Sequence, residues 1–288
     1  MIKTLEKPSQ HSETLLHETV THYNEDPEFY ASFLDPYMKY TSGLFDSNAT
    51  SLELACRNML DKIIQKAQIP LGGSVLEIGP GWGSLLKRLR EARPDVRFSG
   101  ISPSAVQNRF IRRTVFKDAE LHTTTFELAN LNPAAFDAVI LIGSFCHLRD
   151  KPEMLKKIRK FLKPTGRVVV EDTFFLSPIL YERHANHPAT KFVQQEVFGF
   201  AEIPPLSAMI DMAPAADLRF DSTLEHSDSY RRTIAEWQKR IRARPPSTLG
   251  ERYLAYMDVF QMGWDYTIAN HLIVMRPAMV RTASRKEL

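Results

Sequence analysis

Cysteine and long apolar runs are scarce in this sequence of 288 residues. Only Cys56 and Cys146 occur, which excludes a disulfide framework and is typical of a reducing compartment. The longest apolar run, residues 138–142, is far shorter than the ~20 residues that cross a bilayer. No apolar segment follows the first residues, so the sequence predicts no signal peptide and a cytoplasmic protein.

A strong excess of either charge is also absent, with 37 Lys and Arg against 34 Asp and Glu, a net charge of +3. An excess this small predicts no nucleic-acid partner. Charge runs on helices are usually solvated, which is how we interpret the one basic run, with a membrane surface as the alternative. That run consists of Arg231, Arg232, Lys239, Arg240, Arg242 and Arg244.

Short apolar segments alternate with amphipathic helical patterns through the middle of the chain. This alternation predicts an α/β fold, a doubly wound parallel sheet with helices on both faces. Two further strand-like patterns return near residues 218–227 and 267–275. The earlier strands are predicted at residues 75–78, 96–101, 121–125, 136–142 and 167–170.

Capping residues mark the predicted starts of two helices. Thr50, followed three residues later by Glu53, has the pattern of a capping box. Ser102 before Pro103 is typical of an N-cap followed by the first helical residue, which places a helix directly after the second strand.

The alternation ends after Asp172. Residues 173–216 contain five prolines and many aromatic side chains, which predicts an insertion that covers the ends of the strands like a lid. We therefore expect four parts. They are an N-terminal helical cap (1–49), a Rossmann-like core (50–172), the insertion (173–216) and a C-terminal part of the core with substrate-facing helices (217–288).

A glycine-rich loop joins the first predicted strand to a helix and reads Glu-Ile-Gly-Pro-Gly-Trp-Gly over residues 77–83. Glycines let the backbone approach a ligand, and a helix N-terminus favours a carboxylate or phosphate. The spacing is not that of a dinucleotide-binding loop, and Ser102 stands where such an enzyme has an acidic residue for the ribose. The alternative is a tight turn without a ligand.

The loop resembles motif I of class I S-adenosylmethionine-dependent methyltransferases, and its surroundings resemble the cyclopropane fatty acid synthase family. The segments that carry this resemblance span roughly residues 20 to 275. They are residues 22–30, 33–35, 40–45, 143–147, 230–233 and 251–253. The resemblance implies a seven-stranded, mostly parallel sheet and S-adenosylmethionine as cofactor.

The resemblance also implies a cofactor site. Tyr40 and Thr41 would close over the methionine end, and Ser102 would lie near the ribose. Phe126 has a core aromatic as its alternative role. Gln107, on the ribose side, has a solvated helix position as its alternative. The predicted cofactor-binding residues are Tyr40, Thr41, Glu77, Gly79, Gly81, Gly83, Ser102, Gln107, Phe126, Glu127 and Ile142.

Four positions of the family's bicarbonate pocket correspond to Ser42, Cys146, Glu171 and Tyr230 in this sequence. Only Tyr230 keeps the family's residue type, because Ser42 replaces a cysteine, Cys146 a glutamate and Glu171 a histidine. A carboxylate facing the pocket would also repel an anion. The sequence therefore favours a nitrogen, an oxygen or an activated carbon as methyl acceptor over an unactivated alkene.

Glu171 and His147 are the candidate bases, and Tyr230 completes the predicted catalytic set. Glu171 ends a strand at the carboxyl edge of the sheet, where ligands bind in such folds. Its alternative role is to cap the next segment, and that of His147 is a structural hydrogen bond. Ser42 and Cys146 are predicted to line the substrate pocket. The alternative for Cys146 is that it packs as a small, buried, apolar side chain. No metal site is predicted.

These observations predict a methyltransferase that acts on a nitrogen, oxygen or activated carbon of a small or amphiphilic metabolite, in specialised metabolism. The alternative acceptor is a lipid-like one, the unsaturated acyl chain that the family resemblance implies. A third hypothesis is a non-catalytic subunit that binds the cofactor, against which the intact glycine loop argues. The sequence identifies neither the acceptor molecule itself nor the oligomeric state.

Overall fold

A seven-stranded sheet with helices on both faces forms the centre of the computed structural model, which describes residues 26–264 and 266–278. The strands lie in the order β3-β2-β1-β4-β5-β7-β6. β1 to β5 are parallel, and β7 runs antiparallel to both β5 and β6. The predicted doubly wound, mostly parallel sheet is confirmed. The strands are β1 (Ser74–Ile78), β2 (Arg97–Ser102), β3 (Glu120–Thr123), β4 (Phe136–Ile142), β5 (Leu162–Phe175), β6 (Leu218–Glu225) and β7 (Ile268–Pro277).

The central strands are buried on both faces. Every residue of β1 and β4 is buried, as an apolar run in a covered parallel sheet requires. One face packs on the helices Leu52–Ala67 and Ser84–Ala92 through Met59, Ile63 and Leu89. The opposite face packs on helix Lys151–Phe161. The other helices are Pro27–Ala31, Ala105–Thr114, Pro178–His184, Pro188–Lys191, Leu206–Ala215, Ser227–Arg242 and Thr248–Gly263, with a 3₁₀ turn at Phe145–His147 and a π-turn at Phe192–Val197.

The segment between β5 and helix Leu206–Ala215 leaves the sheet and returns beside it. β5 continues to Phe175 and so includes the first three residues of the expected insertion, and the Phe175 amide donates to the Pro204 carbonyl oxygen at 2.9 Å. Met209 and Ala213 of the following helix are fully buried with the core of the sheet. The part of the predicted insertion that stands away from the sheet therefore lies between Leu176 and Ile203.

The predicted N-terminal cap contains one short helix, Pro27–Ala31, among its described residues, and residues 1–25 lie outside them. Tyr30 and Phe33 are fully buried, and the Tyr30 hydroxyl lies 2.6 Å from that of Tyr253. Arg240 donates to the Leu34 carbonyl oxygen at 2.9 Å. The segment is thereby attached to the two long helices that precede β7.

Both capping predictions are displaced along the chain. The first helix is capped by Ser51, whose hydroxyl accepts from the Leu54 amide at 3.2 Å, and not by Thr50. The next one is capped by Ser104, whose hydroxyl accepts from the Gln107 amide, while Ser102 still belongs to β2. Neighbouring hydroxyl residues offered equivalent caps, and the packing of each helix selected one of them.

The described residues include no helix that is long and apolar enough to cross a membrane.

Replacing Ser51 by alanine should lower the free energy of unfolding by about 1 kcal/mol, because the first turn of the helix loses its side-chain acceptor. Thr50→Ala is the matched control, since Thr50 is exposed and caps nothing, and it should change stability by less than about 0.5 kcal/mol. Urea unfolding of the two variants measures both values. A larger loss for Thr50→Ala than for Ser51→Ala would contradict this cap.

Candidate functional site

A cavity of about 1550 Å³, including its opening to solvent, lies at the carboxyl ends of β1, β2, β4 and β5. Parallel strands place these ends at one edge of the sheet, where ligands of such folds bind. Ser42 and Gly83 do not line the cavity. The other predicted site residues do, namely Tyr40, Thr41, Glu77, Gly79, Gly81, Ser102, Gln107, Phe126, Glu127, Ile142, Cys146, His147, Glu171 and Tyr230.

The glycine loop turns the backbone sharply between β1 and the next helix. Gly79 has a φ of 77°, and a Cβ atom there would lie 2.6 Å from Cβ of Ser144. Gly81 has a φ of 52°, but a Cβ atom on it would meet no atom within 4 Å. Gly79 is therefore required by the packing of the chain itself. Gly81 borders open space in the cavity, as a residue that faces a ligand should.

Glu77 is a buried carboxyl group on the cavity wall without a complete set of partners. Its side chain is 1% exposed, and no described residue donates a hydrogen bond to its Oε2 atom. Burial raises its pKa to about 8. An unpaired buried carboxyl oxygen is an energetic cost that a cationic ligand group would remove.

The far end of the cavity carries small polar groups beside an aromatic ring. The hydroxyl of Ser102 accepts from the Ser104 amide at 3.2 Å and lies 3.3 Å from Oε1 of Gln107. Phe126 is buried edge-on against Phe161. Thr125, which the sequence did not single out, presents a buried hydroxyl that has no partner among the described residues.

Glu171 does not face the cavity as a lone carboxylate. Its Oε2 atom lies 3.1 Å from Nζ of Lys39, and both side chains are 1% exposed. Its Oε1 atom accepts from Nδ2 of Asn270 at 3.3 Å. The expectation that an unpaired carboxylate repels anions from this site is therefore wrong, because the ammonium balances its charge.

Lys39 and Asn270 were missed at the level of the sequence. They lie 132 and 99 positions from Glu171, and no local pattern links residues so far apart. A weak signal was present in each case. Lys39 stands in an otherwise aromatic and apolar stretch, and Asn270 interrupts the buried strand β7.

His147 holds the insertion. Its Nδ1 atom lies 2.7 Å from the carbonyl oxygen of Phe200, and its ring packs edge-on against Phe198. Burial lowers its pKa to about 4, so the ring is neutral near pH 7. This geometry matches the structural alternative for His147 and leaves its role as a base a prediction.

The remaining predicted pocket residues are Cys146, Tyr230 and Ser42, and none of them is an anion. Burial raises the pKa of the Cys146 thiol, which keeps it protonated, and the Cys146 amide donates to Asp172 at 3.0 Å. Burial likewise raises the pKa of Tyr230. Ser42 donates to the Gly43 carbonyl oxygen at 2.7 Å, and its oxygen lies 3.3 Å from Nδ1 of His226. Ser42 therefore lies behind the cavity wall and outside the pocket predicted for it.

The basic run on helix Ser227–Arg242 is largely engaged by the protein. Arg240 pairs with Glu53 at 2.5 Å. Arg232 lies over the ring of Phe45 at 4.1 Å. Arg231 and Arg242 lie 4.0 and 3.8 Å from Asp228 and Asp258. Four of the six side chains thus have partners within the chain, and the choice between a solvated face and a membrane surface stays a prediction.

Replacing Lys39 by methionine should lower the free energy of unfolding by about 3–5 kcal/mol, since it leaves a buried carboxylate unpaired. The double variant Lys39→Met with Glu171→Leu should recover most of that loss, because it removes the charge that lacks a partner. Chemical denaturation of both variants tests this. A single variant as stable as the parent would show that the pair is not formed.

Comparison with known proteins agrees with the fold and the cavity. Residues 10–263 match the family model of mycolic acid cyclopropane synthetase. Tuberculostearic acid methyltransferase UfaA1 of Mycobacterium tuberculosis is 24% identical over 261 residues, which are 86% of this chain and 59% of that protein. Cyclopropane mycolic acid synthase 1 of the same species is 23% identical over 264 residues, 84% of this chain and 92% of that protein.

The solved structure of the cyclopropane synthase MmaA2 from Mycobacterium tuberculosis superposes with a TM-score of 0.80 at 20% identity. The match covers 90% of this chain and 97% of that one. The family model spans most of the sequence, including the glycine loop and both strands that carry Glu77 and Glu171. The chain belongs to the mycolic acid cyclopropane synthetase family, a family of S-adenosylmethionine-dependent methyltransferases.

Proposed function

We propose that this protein transfers the methyl group of S-adenosylmethionine to the double bond of an unsaturated acyl chain. The observation that carries the proposal is the composition of the acceptor side of the cavity. Aromatic and apolar side chains from three parts of the chain line it, and the Glu171 carboxylate there is paired with Lys39. These side chains are Tyr40, Phe198, Ala201, Ile203, Tyr230, Tyr256 and Phe260.

The cofactor side of the cavity fits S-adenosylmethionine, which supplies a methyl group made electrophilic by its sulfonium. Glu77 offers an unpaired carboxyl oxygen to the amino group of the methionine portion. Gly81 leaves space for the backbone to approach it. Thr125 and Phe126 offer a hydroxyl and a ring face for the adenine.

An acyl acceptor is supported by what the cavity wall lacks. The Glu171 carboxylate is paired with Lys39, so this pair presents little net charge to a substrate. Apolar surface gains about 25 cal/mol per Å² when it leaves water, which makes a wall of rings and aliphatic groups favourable for an acyl chain. Ser42 and Cys146 differ from the residues of the family pattern, but these differences do not remove the favourable free energy of burying an acyl chain. Two of the relatives are named for tuberculostearic acid and for mycolic acid, and these names support an acyl acceptor.

The proposed roles follow from these positions. Glu171 accepts the proton that the methylated acceptor loses, and Tyr230 packs as a wall of the site against Trp264. His147 holds the segment between Leu176 and Ile203 over the cavity through its bond to Phe200. That segment acts as a lid, because exclusion of water keeps the reacting groups aligned.

The same rings support a second candidate, an amine acceptor. Tyr40, Tyr230 and Tyr256 border one space, and aromatic faces attract cations within ~6 Å of the ring centre. A protonated amine or its methylated product would gain from this arrangement. Methylation of a small amine is therefore the alternative that the acceptor assay must include.

The purified protein should transfer labelled methyl groups from S-adenosylmethionine to vesicles of dioleoyl phosphatidylglycerol. Vesicles of dimyristoyl phosphatidylglycerol are the matched control, since they share the headgroup and lack a double bond. We expect at least about tenfold more label in the unsaturated lipid, measured by mass spectrometry of the extracted acyl chains. Equal labelling of both lipids, or labelling only of amines added to the mixture, would contradict the acyl proposal.

Cofactor binding should be coupled to the ionisation of Glu77. Its carboxyl is protonated near pH 7 because its pKa is about 8, and a cationic amino group beside it favours the ionised form. Binding should then release a proton, and affinity for S-adenosylhomocysteine should rise between about pH 6 and pH 8.

Titration calorimetry in two buffers of different ionisation enthalpy measures this proton. Glu77→Gln should bind more weakly and release none. Gly81→Val is a second variant, in which a branched side chain enters the ligand space and weakens binding without altering proton release. Proton release that is unchanged in Glu77→Gln would place the coupling elsewhere.

A further inference from the structure

We propose that Lys39 and Asn270 together form a binding site for a carboxylate group, which we call the cradle. The side chain of Glu171 occupies this site in the protein. Lys39 and Asn270 are then positioning residues, which hold the Glu171 carboxylate in one place at the acceptor side of the cavity. The proposal rests on the proposed function, because it assigns the group that removes a proton after methyl transfer.

Three hydrogen bonds fix the Lys39 ammonium. It donates to the hydroxyl of Thr41, to the carbonyl oxygen of Ser42 at 2.8 Å and to Oε2 of Glu171 at 3.1 Å. An ammonium has three donors, so none remains for another acceptor. The side chain is consequently held in one place, with its charge directed at the carboxylate.

Asn270 supplies the second contact from the neighbouring strand β7. Its Nδ2 atom donates to Oε1 of Glu171 at 3.3 Å. The hydroxyl of Ser227 accepts from the Asn270 main-chain amide at 2.9 Å, which fixes this residue in turn. Each carboxylate oxygen thus has one donor, and lone pairs remain on both oxygens for a proton.

Stability alone does not account for this pair. Buried ion pairs contribute little compared with apolar residues of the same volume, because both charges must leave water. The pair lies on the cavity wall, and the residues next to Lys39 in the chain, Met38 and Tyr40, line the same cavity. A charged pair at this position therefore points to a role in the site.

The proton step is balanced without a further reactant. The π electrons of the alkene form a bond to the methyl carbon while its bond to sulfur breaks and that electron pair goes to sulfur, which leaves the neighbouring carbon of the alkene cationic. A C–H bond of the methylated acceptor then breaks, and its electron pair forms the new carbon–carbon bond of a ring or a double bond. The proton goes to an oxygen of Glu171 and returns to solvent after the product leaves. The Lys39 ammonium and the Asn270 side-chain amide hold the two carboxylate oxygens in place before the step.

Chemical rescue tests the cradle. Glu171→Ala removes four heavy atoms, which are the number in acetate, and leaves Lys39 and Asn270 in place. Acetate should therefore bind in this variant and raise its melting temperature, since a ligand that binds only the folded state stabilises it. It should also restore turnover at least tenfold from a value that we expect to be about 10²–10⁴ below that of the parent.

The matched control is Glu171→Ala combined with Lys39→Met, in which acetate should change neither the melting temperature nor turnover. Rescue of both variants alike, or turnover of Glu171→Ala equal to that of the parent, would overturn the proposal. Glu171→Gln is the backup if the alanine variant fails to fold. It should keep its affinity for S-adenosylhomocysteine and lose turnover, and unchanged turnover would again overturn it.

The two proposals fail differently. A parent protein that binds S-adenosylhomocysteine but methylates no acceptor would refute the proposed function. The acetate effect on melting temperature would still test the cradle in that case. Faster turnover of the parent with added bicarbonate would show that an external anion, and not Glu171, takes the proton.

Discussion

The parallel alignment of β1 to β5 is the constraint on which the rest of the structure depends. It brings Glu77, Ser102, Ile142 and Glu171 to one edge of the sheet although they are spread over 95 positions of the chain. Main-chain hydrogen bonds across the sheet hold that edge, as in the bond from the Gly143 amide to the Glu171 carbonyl oxygen at 2.7 Å. The cavity is thus positioned by the hydrogen-bonded sheet.

A buried carboxyl group lies at each end of the cavity, and the two groups differ in where their partners come from. At Glu77 a carboxyl group is buried without a full set of partners, and the missing partner is expected in the cofactor. At Glu171 the partner is part of the chain, since Lys39 neutralises the carboxylate before any ligand arrives. One carboxyl group therefore has an oxygen open to a cationic ligand group, and the other is already paired with a cation of the chain.

The sheet and most of the cavity lining could be predicted from the sequence because their signals are local. The apolar run of β4 and the glycines after Ile78 each occupy a few consecutive residues. The partners of Glu171 could not be predicted, because they come from the segment before the core and from the last strand. Which of Thr50 and Ser51 caps the helix could not be predicted either, because it also depends on tertiary packing, which a local sequence pattern does not contain.

The bond between Phe175 and Pro204 has a consequence for how this fold can diversify. The two ends of the segment are fixed at one point of the sheet, so its interior can lengthen or shorten at the small entropic cost of a longer loop. Phe198, Ala201 and Ile203 of this segment line the cavity, and the glycine loop that also lines it lies elsewhere in the chain. Changes of length or sequence in this segment can therefore alter the part of the cavity proposed for the acceptor while the glycine loop stays unchanged.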